Sequence, residues 1–450
     1  MSGNTVAYAI DTAYDADHEV TSQSDPDSSY AFTQDNLGRT LTDDNAGTPN
    51  VPHVVLTSGY DPVGDRTSLS ATINGKADFL NSYSFDADQR LIDETQQGVQ
   101  GGNGVDPKQV EFGYNALGQF TAVSRFNFVG IGPMVDLATG VFSYDAANRL
   151  TGLNYTYGGG AHSIDAYTWA LNNADLVTSV NSTADGTASY GYDPTNQLTS
   201  ANYTGTNAPP NAAYAFDKNG NRTMTGYQVA AGNEIASDGT FNYQFDGEGN
   251  RTLRTRISNA SASDYQTKFF YDYRNRLTDE EYFNNSGTLT KHVHYRYDTL
   301  DHEIGKQVDD TGGGTYDRAE WYVLDVSPAA PLADAPSGAL ADPLLQFDPS
   351  CNLQFRYFSG HSPAGNDTVY TEEQISTQGQ AGAETWPLGD NENTPHEVVN
   401  NASAVVDHII GNTFGVVSSE SNSSIHHWSG FEGAHLDMDT AAIDDYFRWY

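Results

Sequence analysis

One short motif, repeated along most of the chain, constrains the fold more than any other feature of the sequence. A clear copy runs Tyr243-Gln-Phe245-Asp246 and continues Gly-Glu-Gly-Asn-Arg-Thr. Side chains two residues apart on a strand point to the same face, so Tyr243 and Phe245 share one face. Asp246 can accept hydrogen bonds from the backbone N–H groups that follow it, and Gly249 and Asn250 tolerate positive φ. The motif therefore predicts a strand, a tight turn and a second strand.

The same arrangement, two alternating aromatic residues followed by Asp or Asn, recurs along the chain. The further copies contain Tyr83, Phe85 and Asp86; Phe112 and Tyr114; Phe142, Tyr144 and Asp145; Tyr190, Tyr192 and Asp193; Tyr214, Phe216 and Asp217; Phe269, Tyr271 and Asp272; and Tyr295, Tyr297 and Asp298. Degenerate copies lie near Tyr14, Asp35 and Tyr60. Successive copies are roughly 20–30 residues apart, which is the spacing of a repeat array.

The paired aromatic residues have two possible roles. If neighbouring hairpins lie side by side, the rings stack in register and each buries about 150–250 Å². We therefore expect these residues to form the structural core. A carbohydrate-binding aromatic platform is the alternative, and it would need exposed rings.

The composition agrees with a β-rich fold. The 450 residues include 43 Gly, 28 Tyr and 20 Phe but only 4 Met. Aromatic-rich, glycine-punctuated sequences favour strands and turns, and no apolar stripe with a helical period is present. The sequence therefore predicts an all-β fold in which repeated hairpins lie side by side in a long sheet that curls.

The chain is strongly acidic, with 59 Asp and Glu against 21 Lys and Arg and a net charge of −38. Such a surface repels phosphates and anionic lipid headgroups, so we expect neither nucleic acid nor an inserted membrane as a partner. It also suits salty surroundings, where counterions screen the repulsion.

Other sequence features bear on location and processing. The single cysteine, Cys351, excludes an intrachain disulfide. No apolar run is long enough to span a membrane, and the first residues lack the basic and apolar segments of a signal peptide. A repeat is already present at Tyr14, so we expect the chain to be part of a longer protein or a processed product.

The sequence predicts three regions. Residues 1–320 form the repeat array. Residues 321–385 contain variant repeats and the proline- and alanine-rich run 327–336, which predicts a surface loop. Residues 386–450 are set apart as a third region by the resemblance described next.

The repeated aromatic-Asp motif resembles the YD repeats of Rhs proteins, of the large insecticidal toxin complexes and of teneurins, over residues 1–320. Residues 386–450 are similar to the core domain that closes Rhs arrays, in the runs 388–390, 397–401, 404–407, 413–417 and 446–450. Residues 391–396 and 411–412 depart from that domain's pattern. The resemblance implies a sheet that spirals into a hollow shell or tube, with the core domain at one end.

Two functions follow from this resemblance. The first is a non-catalytic scaffold, extracellular or at the cell surface, that associates head to tail through exposed sheet ends into a tube or filament. The second is the β-shell of an Rhs-type polymorphic toxin that encapsulates a C-terminal polypeptide. In Rhs proteins a self-cleaving Asp-Pro segment and a toxin follow the terminal aromatic run, and the 450 residues contain neither. We therefore favour the scaffold.

Catalytic motifs are absent from the sequence, which contains no nucleophile elbow, phosphate loop, dinucleotide fingerprint or zinc-protease motif. We expect no enzyme activity and no cofactor. Two of the 59 carboxylates could form the acid pair of a glycoside hydrolase, but no feature of the sequence distinguishes such a pair from the rest. The runs Asp217–Asn221 and Asp15–Asp17 resemble fragments of calcium loops without the closing glutamate. Turn hydrogen bonds explain them, and a structural calcium ion is the alternative.

Two histidine pairs are candidate metal ligands. His292 and His294 would share a strand face, and they would need a third ligand to bind a metal. His426 and His427 are adjacent and would point to opposite faces of a strand. Surface or cross-strand packing is the simpler interpretation of both pairs.

Overall fold

The computed structural model describes residues 9–128, 134–206, 208–325, 342–361, 367–440 and 442–444. The predicted loop at 327–336 and the aromatic run 446–450 lie outside these residues. The described chain is all-β, as predicted. It forms antiparallel sheets of 17, 16 and two strands, with two short 3-10 helices at Ala231–Asn233 and Phe431–Gly433. None of the helices described is long and apolar enough to cross a membrane.

The first sheet is a meander in which each strand pairs antiparallel with the next along the chain. Its strands are β1 (Asp11–Tyr14), β2 (Val20–Ser24), β3 (Ser29–Gln34), β4 (Thr40–Asp44), β5 (Val54–Tyr60), β6 (Arg66–Ile73), β7 (Lys76–Phe85), β8 (Leu91–Gly98), β9 (Lys108–Tyr114), β10 (Phe120–Phe128), β11 (Met134–Tyr144), β12 (Leu150–Tyr157), β13 (His162–Leu171), β14 (Val177–Ser182), β15 (Gly186–Tyr192), β16 (Leu198–Thr204) and β17 (Ala212–Ala213).

The second sheet continues in the same way and includes strands from all three predicted regions. Its strands are β18 (Tyr227–Val229), β19 (Ile235–Asp238), β20 (Phe241–Phe245), β21 (Arg251–Arg256), β22 (Gln266–Tyr271), β23 (Leu277–Phe283), β24 (Leu289–Tyr297), β25 (Glu303–Asp309), β26 (Arg318–Asp325), β27 (Asp342–Phe347), β28 (Leu353–His361), β29 (Asp367–Gln374), β30 (Ala383–Gly389), β31 (Pro395–Asn400), β32 (Val405–Gly411) and β33 (Val417–Glu420). The two-stranded sheet contains β34 (His435–Asp437) and β35 (Ala442–Asp444).

The ladder is interrupted between β17 and β18, so the predicted long sheet is divided into two. Pro209 and Pro210 precede β17, which has only two residues. Proline has no N–H to donate to a ladder. The repeat that follows keeps only an isolated bridge between Phe216 and Arg222.

Buried side chains join the two sheets. In the largest cluster, Phe112 of the first sheet packs with Trp386 of the second. A second cluster joins Phe79 to Phe347 in the same way, whereas the cluster around Tyr295 lies within the second sheet. The core therefore lies both between the sheets and along the early strands of the second sheet.

Candidate functional site

The repeats close on the same five-residue turn. In the copy that starts at Asp246, Oδ1 accepts hydrogen bonds from the backbone N–H groups of Glu248 (3.0 Å) and Asn250 (2.8 Å), as the motif predicts. The positive φ falls on Gly249, at 86°, whereas Asn250 donates its side-chain amide to Oδ2 of Asp246 (3.0 Å). One carboxylate thus pairs the N–H groups that a tight turn leaves without a strand partner.

The same pair of bonds recurs from one end of the described chain to the other. It is made by Asp15, Asp35, Asp61, Asp86, Asn115, Asp145, Asn172, Asp193, Asp217, Asp272, Asn284, Asp298, Asp348, Asp390, Asn400 and Asn412. The turn at Asn284 was not predicted, because Glu281 stands where the motif has the first of its two alternating aromatic residues. The turn at Asp348 belongs to one of the variant repeats predicted within residues 321–385. A sequence signal for this turn is a glycine three residues after the Asp or Asn, as Gly287 stands after Asn284, because glycine accepts the positive φ that the turn needs.

Where a tyrosine immediately precedes the turn, its hydroxyl can link the repeat to the preceding one. The Tyr297 hydroxyl donates to the carbonyl of Leu277 (2.8 Å), and the Tyr114 hydroxyl donates to that of Leu91 (2.7 Å). The acceptor is the first residue of the strand that leaves the preceding turn. Equivalent bonds are made by Tyr60, Tyr144, Tyr192 and Tyr271. The motif thus uses the hydroxyl as well as the ring.

In four repeats of the described chain an arginine at the end of the turn links the repeat to the next one. Arg276 donates from Nε to Asp272 Oδ2 in its own turn (2.7 Å) and from Nη1 to the carbonyl of Asp298 in the next turn (3.1 Å). Its guanidinium carbon also lies 4.9 Å from the ring centroid of Tyr297, within cation–π range. Arg39, Arg90 and Arg149 make the equivalent two bonds. We call these Tyr, Asp and Arg contacts the repeat clamp.

The predicted aromatic residues lie on the strands beside these turns, with different degrees of burial. The buried ones are Phe112, Phe269, Tyr295 and Tyr297. The half-buried ones are Tyr83, Phe85, Tyr114, Phe142, Tyr144, Tyr190, Tyr192, Tyr214, Phe216, Tyr243, Phe245 and Tyr271. Among the described residues the largest fully buried side chain, Trp386, comes from outside the motif. The interior therefore depends on more than the aromatic pairs.

Removing a buried turn carboxylate is expected to destabilise the protein. The Asp298 side chain is fully buried and accepts from the N–H groups of Leu300 (2.8 Å) and His302 (2.9 Å). Asp298→Ala leaves these donors without an acceptor and should lower the free energy of unfolding by about 1–3 kcal/mol. Urea unfolding followed by circular dichroism measures the loss. Asp193→Ala, in a solvent-exposed copy of the turn, is the control and should cost less.

A buried network of charged side chains also joins the two sheets. Lys108 on β9 lies 2.9 Å from Glu373 Oε2 and 2.6 Å from Glu384 Oε1, and all three side chains are fully buried. Arg356 on β28 pairs with Asp78 on β7 (2.5 Å) and with Glu373 (3.1 Å). Five charges on five strands therefore hold the sheets in one relative position.

A second charged group lies where β31 and β32 meet the first sheet. His408 Nε2 is 2.7 Å from Asp185 Oδ1, His396 Nδ1 is 3.4 Å from Asp185 Oδ2, and the Tyr167 hydroxyl donates to Glu397 (3.1 Å). Burial alone would raise the pKa of Asp185, but hydrogen bonds from the two histidines lower it to about 2. Burial and nearby acids raise the pKa of Glu397 to about 8. Contacts with Asp185 also raise the pKa of both histidines.

These shifts predict that the protein loses stability as the pH rises from mildly acidic to mildly alkaline. A raised pKa means that the folded state holds a proton more tightly than the unfolded state. For Glu397 this contribution is complete below its ordinary value of 4.5 and is lost as the pH rises through about 8. His396 and His408 act in the same direction, and the contribution of Asp185 is lost only as the pH falls toward about 2.

Melting temperatures measured from pH 5 to pH 9 test this prediction. Glu397→Gln should flatten the decline, because glutamine keeps the size of the side chain and does not ionise. Glu248→Gln, at an exposed turn position, is the matched control. Equal slopes in wild type and Glu397→Gln would contradict the assignment.

The candidate metal ligands of the sequence analysis contact protein groups. His292 Nε2 and His294 Nδ1 each lie 2.8 Å from Asp279 Oδ1, so the two rings do share a face. Oδ1 of Asp217 accepts the turn N–H groups, and Oδ2 accepts from the Asn221 amide (3.0 Å). Asp15 makes the corresponding turn. Turn hydrogen bonds therefore account for the calcium-like runs.

The adjacent histidines have different partners. His426 Nδ1 lies 2.6 Å from Glu372 Oε2, and its ring stacks on Phe355 at 4.3 Å between centroids. His427 Nε2 lies 3.0 Å from Asp407 Oδ2. The two rings thus belong to separate groups of side chains.

A cavity of about 620 Å³ lies near the ends of both sheets. The first sheet lines it with Tyr167, Trp169 and Tyr203, and the second part of the chain adds Ile410 and Phe431. Its size is in the range of ligand pockets, and its lining combines aromatic rings with the acidic side chains of Asp185, Asp390 and Glu420.

The fold and the repeat clamp define an all-β class of protein built from hairpins that are linked turn to turn. Known structures match this fold. The crystal structure of TcdB2–TccC3 matches 98% of this chain with a TM-score of 0.53 at 11% identity, and that of TcdB2–TccC3–Cdc42 matches 98% with 0.52 at 12%. TcdB2–TccC3 chains are Rhs/YD-repeat shell proteins, so the chain has the fold of such a shell.

This similarity covers 27% of each TcdB2–TccC3 chain, so the protein spans about a quarter of the length of the chains that it matches. No family model matches the sequence, and a search of curated proteins finds no match.

Proposed function

We propose that the chain is a non-catalytic β-shell scaffold, extracellular or at the cell surface, whose sheets form part of a wall around a polypeptide. The observation that carries this proposal is the match to a YD-repeat shell along 98% of the chain. The repeat clamp supports it, because its tyrosine and arginine contacts join neighbouring hairpins without a helix or a disulfide. A wall built in this way can extend hairpin by hairpin.

Whether the chain encloses a polypeptide can be tested by measuring how well it protects an attached polypeptide from a protease. A flexible, protease-sensitive reporter is fused after Tyr450, and the matched control carries the same reporter before Met1. If the chain encloses a C-terminal polypeptide, the first reporter resists proteinase K until denaturant unfolds the scaffold, while the second is cleaved at once. Equal cleavage of both reporters in the folded proteins would reject enclosure by this chain.

A filament of the same scaffold is the second candidate, and the first strand favours it. Within the described residues β1 pairs with β2 alone, and we propose its other edge as the point of strand addition. The net charge of −38 opposes contact between copies at low ionic strength. Salt screens this repulsion, since the Debye length falls from about 30 Å at 0.01 M to about 3 Å at 1 M.

Light scattering across a salt series distinguishes the two candidates. A filament-forming scaffold should increase in mass as salt rises, and negative-stain images should then show fibres. A particle that keeps the mass of one chain from low to molar salt contradicts the filament and leaves the shell.

A further inference from the structure

We propose that Asp407, Glu420 and His427 form a binding site for a divalent transition-metal ion, with zinc as the preferred ion. Asp407 lies on β32, Glu420 ends β33, and His427 lies in the segment that follows. One ligand atom from each residue lies within 4.8 Å of the other two. In the described part of the chain no other group of three His, Cys, Asp or Glu residues converges in this way.

The spacing of the three groups fits one ion. His427 Nε2 is 3.0 Å from Asp407 Oδ2 and 3.6 Å from Glu420 Oε1. With zinc bonds of about 2.0–2.2 Å, the ligand atoms of a tetrahedral site lie about 3.3–3.6 Å apart. The two distances from His427 Nε2 therefore differ from this range by at most a few tenths of an ångström, and the two carboxylates lie within 4.8 Å of each other.

The aspartate is held in position for this role. Its Oδ1 accepts three hydrogen bonds, from the backbone N–H of His408 (2.8 Å), the hydroxyl of Ser421 (2.9 Å) and the backbone N–H of Asn422 (2.8 Å). These bonds direct Oδ2 toward His427. Partners of this kind orient ligands in metal sites.

The surroundings of the histidine limit its movement. The next residue, Trp428, is 9% exposed and stacks on His435 at 4.0 Å between ring centroids. The preceding residue, His426, stacks on Phe355. His427 is itself 5% exposed, so its imidazole is fixed beside the two carboxylates.

The donor set indicates the kind of ion. Calcium and magnesium prefer oxygen ligands alone, whereas an imidazole with carboxylates suits zinc and similar ions. Two carboxylates this close also repel each other, and a divalent ion offsets that repulsion. The group at His292 and His294 differs, because two imidazoles there share the single carboxylate of Asp279. That group therefore lacks the repulsion between two carboxylates that a bound cation would offset.

Three protein ligands leave one position of a tetrahedral zinc ion open, as in zinc sites that exchange a bound molecule. Glu420 and His427 both line the 620 Å³ cavity that Tyr167 and Trp169 also line. The open position is therefore available to water or to another small ligand that enters the cavity. This inference does not depend on the proposed scaffold function.

Calorimetric titration of the full chain with ZnCl₂, after dialysis against chelator, tests the site. We expect one zinc ion per chain and a higher melting temperature, because the ion joins three separate pieces of the chain. Calcium chloride should produce neither effect. Cobalt chloride provides a second readout, since a four-coordinate Co²⁺ site absorbs strongly in the visible range.

Two variants locate the ion. Glu420→Gln and His427→Gln should each weaken zinc binding at least about tenfold, the effect of roughly 1.4 kcal/mol. Glu420→Gln is the less disruptive of the two variants. The Glu420 side chain is half-buried, and its carboxylate contacts His427 of the proposed site. His292→Gln is the matched control at the other histidine pair and should leave zinc binding unchanged.

Two results would overturn the proposal. One is wild-type protein that binds no zinc, which would make Asp407, Glu420 and His427 a hydrogen-bonded group only. The other is zinc binding that persists undiminished in both Glu420→Gln and His427→Gln, whether or not His292→Gln affects it. Circular dichroism of each variant establishes that it is folded before titration.

Discussion

Replacing Lys108 by methionine is expected to lower the free energy of unfolding by about 3–5 kcal/mol, because it removes one partner from a buried ion network. The ammonium group contacts Glu373 and Glu384, and none of the three side chains reaches solvent. Burial alone would lower the pKa of Lys108, but the two glutamates hold it above its ordinary value. The variant leaves Glu384 buried without its cation. Guanidinium unfolding followed by fluorescence measures the loss.

The size of this loss should depend on pH. Burial raises the pKa of Glu384 to about 7, even with Lys108 present. At a pH below this pKa, Glu384 is protonated and neutral, so the loss of Lys108 leaves no unpaired charge on it. At a higher pH the buried carboxylate is either ionised without a cation or must hold its proton at a cost in free energy. The Lys108→Met penalty is therefore expected to be larger at pH 8.5 than at pH 6. A penalty that is the same at both pH values would contradict this account.

Two further variants complete the test. Lys108→Met combined with Glu384→Gln should recover part of the stability, because a neutral amide replaces the unpaired carboxylate. Arg149→Met, at a half-buried repeat clamp, is the control for loss of a cation and should cost less than Lys108→Met, because solvent screens the charges that remain.

Phe112→Ala is expected to cost about 3–5 kcal/mol, the usual range for a buried phenylalanine. Phe112 is 5% exposed and contacts Phe120 of its own sheet and Tyr370 of the other sheet, at 5.9 and 6.0 Å between ring centroids. The substitution therefore opens a cavity where the two sheets meet. Thermal and urea unfolding measure the loss.

Phe142→Ala is the matched control, since Phe142 has the same position in the next repeat. Its ring is half-buried at the edge of the same cluster. The loss should be about half as large, in proportion to the apolar area removed from water. Equal losses at the two positions would mean that contact between the sheets adds nothing to the aromatic pairs.

The local features of the fold could be predicted from the sequence. The turn at Asp246 needs a carboxylate, two N–H groups within four residues and a residue that accepts positive φ, and all of these are visible in the motif. The shared face of His292 and His294 follows from strand alternation in the same way. Such contacts join residues close together in the chain, so a short pattern contains both partners.

The repeat clamp could be predicted only in part. The sequence analysis identified Tyr297 and Asp298 but assigned the tyrosine to packing. Its hydroxyl reaches Leu277, 20 residues away, and Arg276 reaches the carbonyl of Asp298, 22 residues away. These partners can be identified only if the register between neighbouring hairpins is known. The spacing of the copies does not determine this register, because the loops between the hairpins differ in length.

The contacts between the sheets depend on distances along the chain that no short pattern contains. Lys108 meets Glu373 across 265 residues, and neither belongs to the aromatic motif. Asp407 and His427 are closer in sequence, but the chain must turn back after β33 to bring the imidazole to the carboxylates. The alternation of residues along a strand, which is visible in the sequence, predicts which side chains face inward. Which residues those side chains contact is decided by how one sheet packs on the other, and this depends on the tertiary structure.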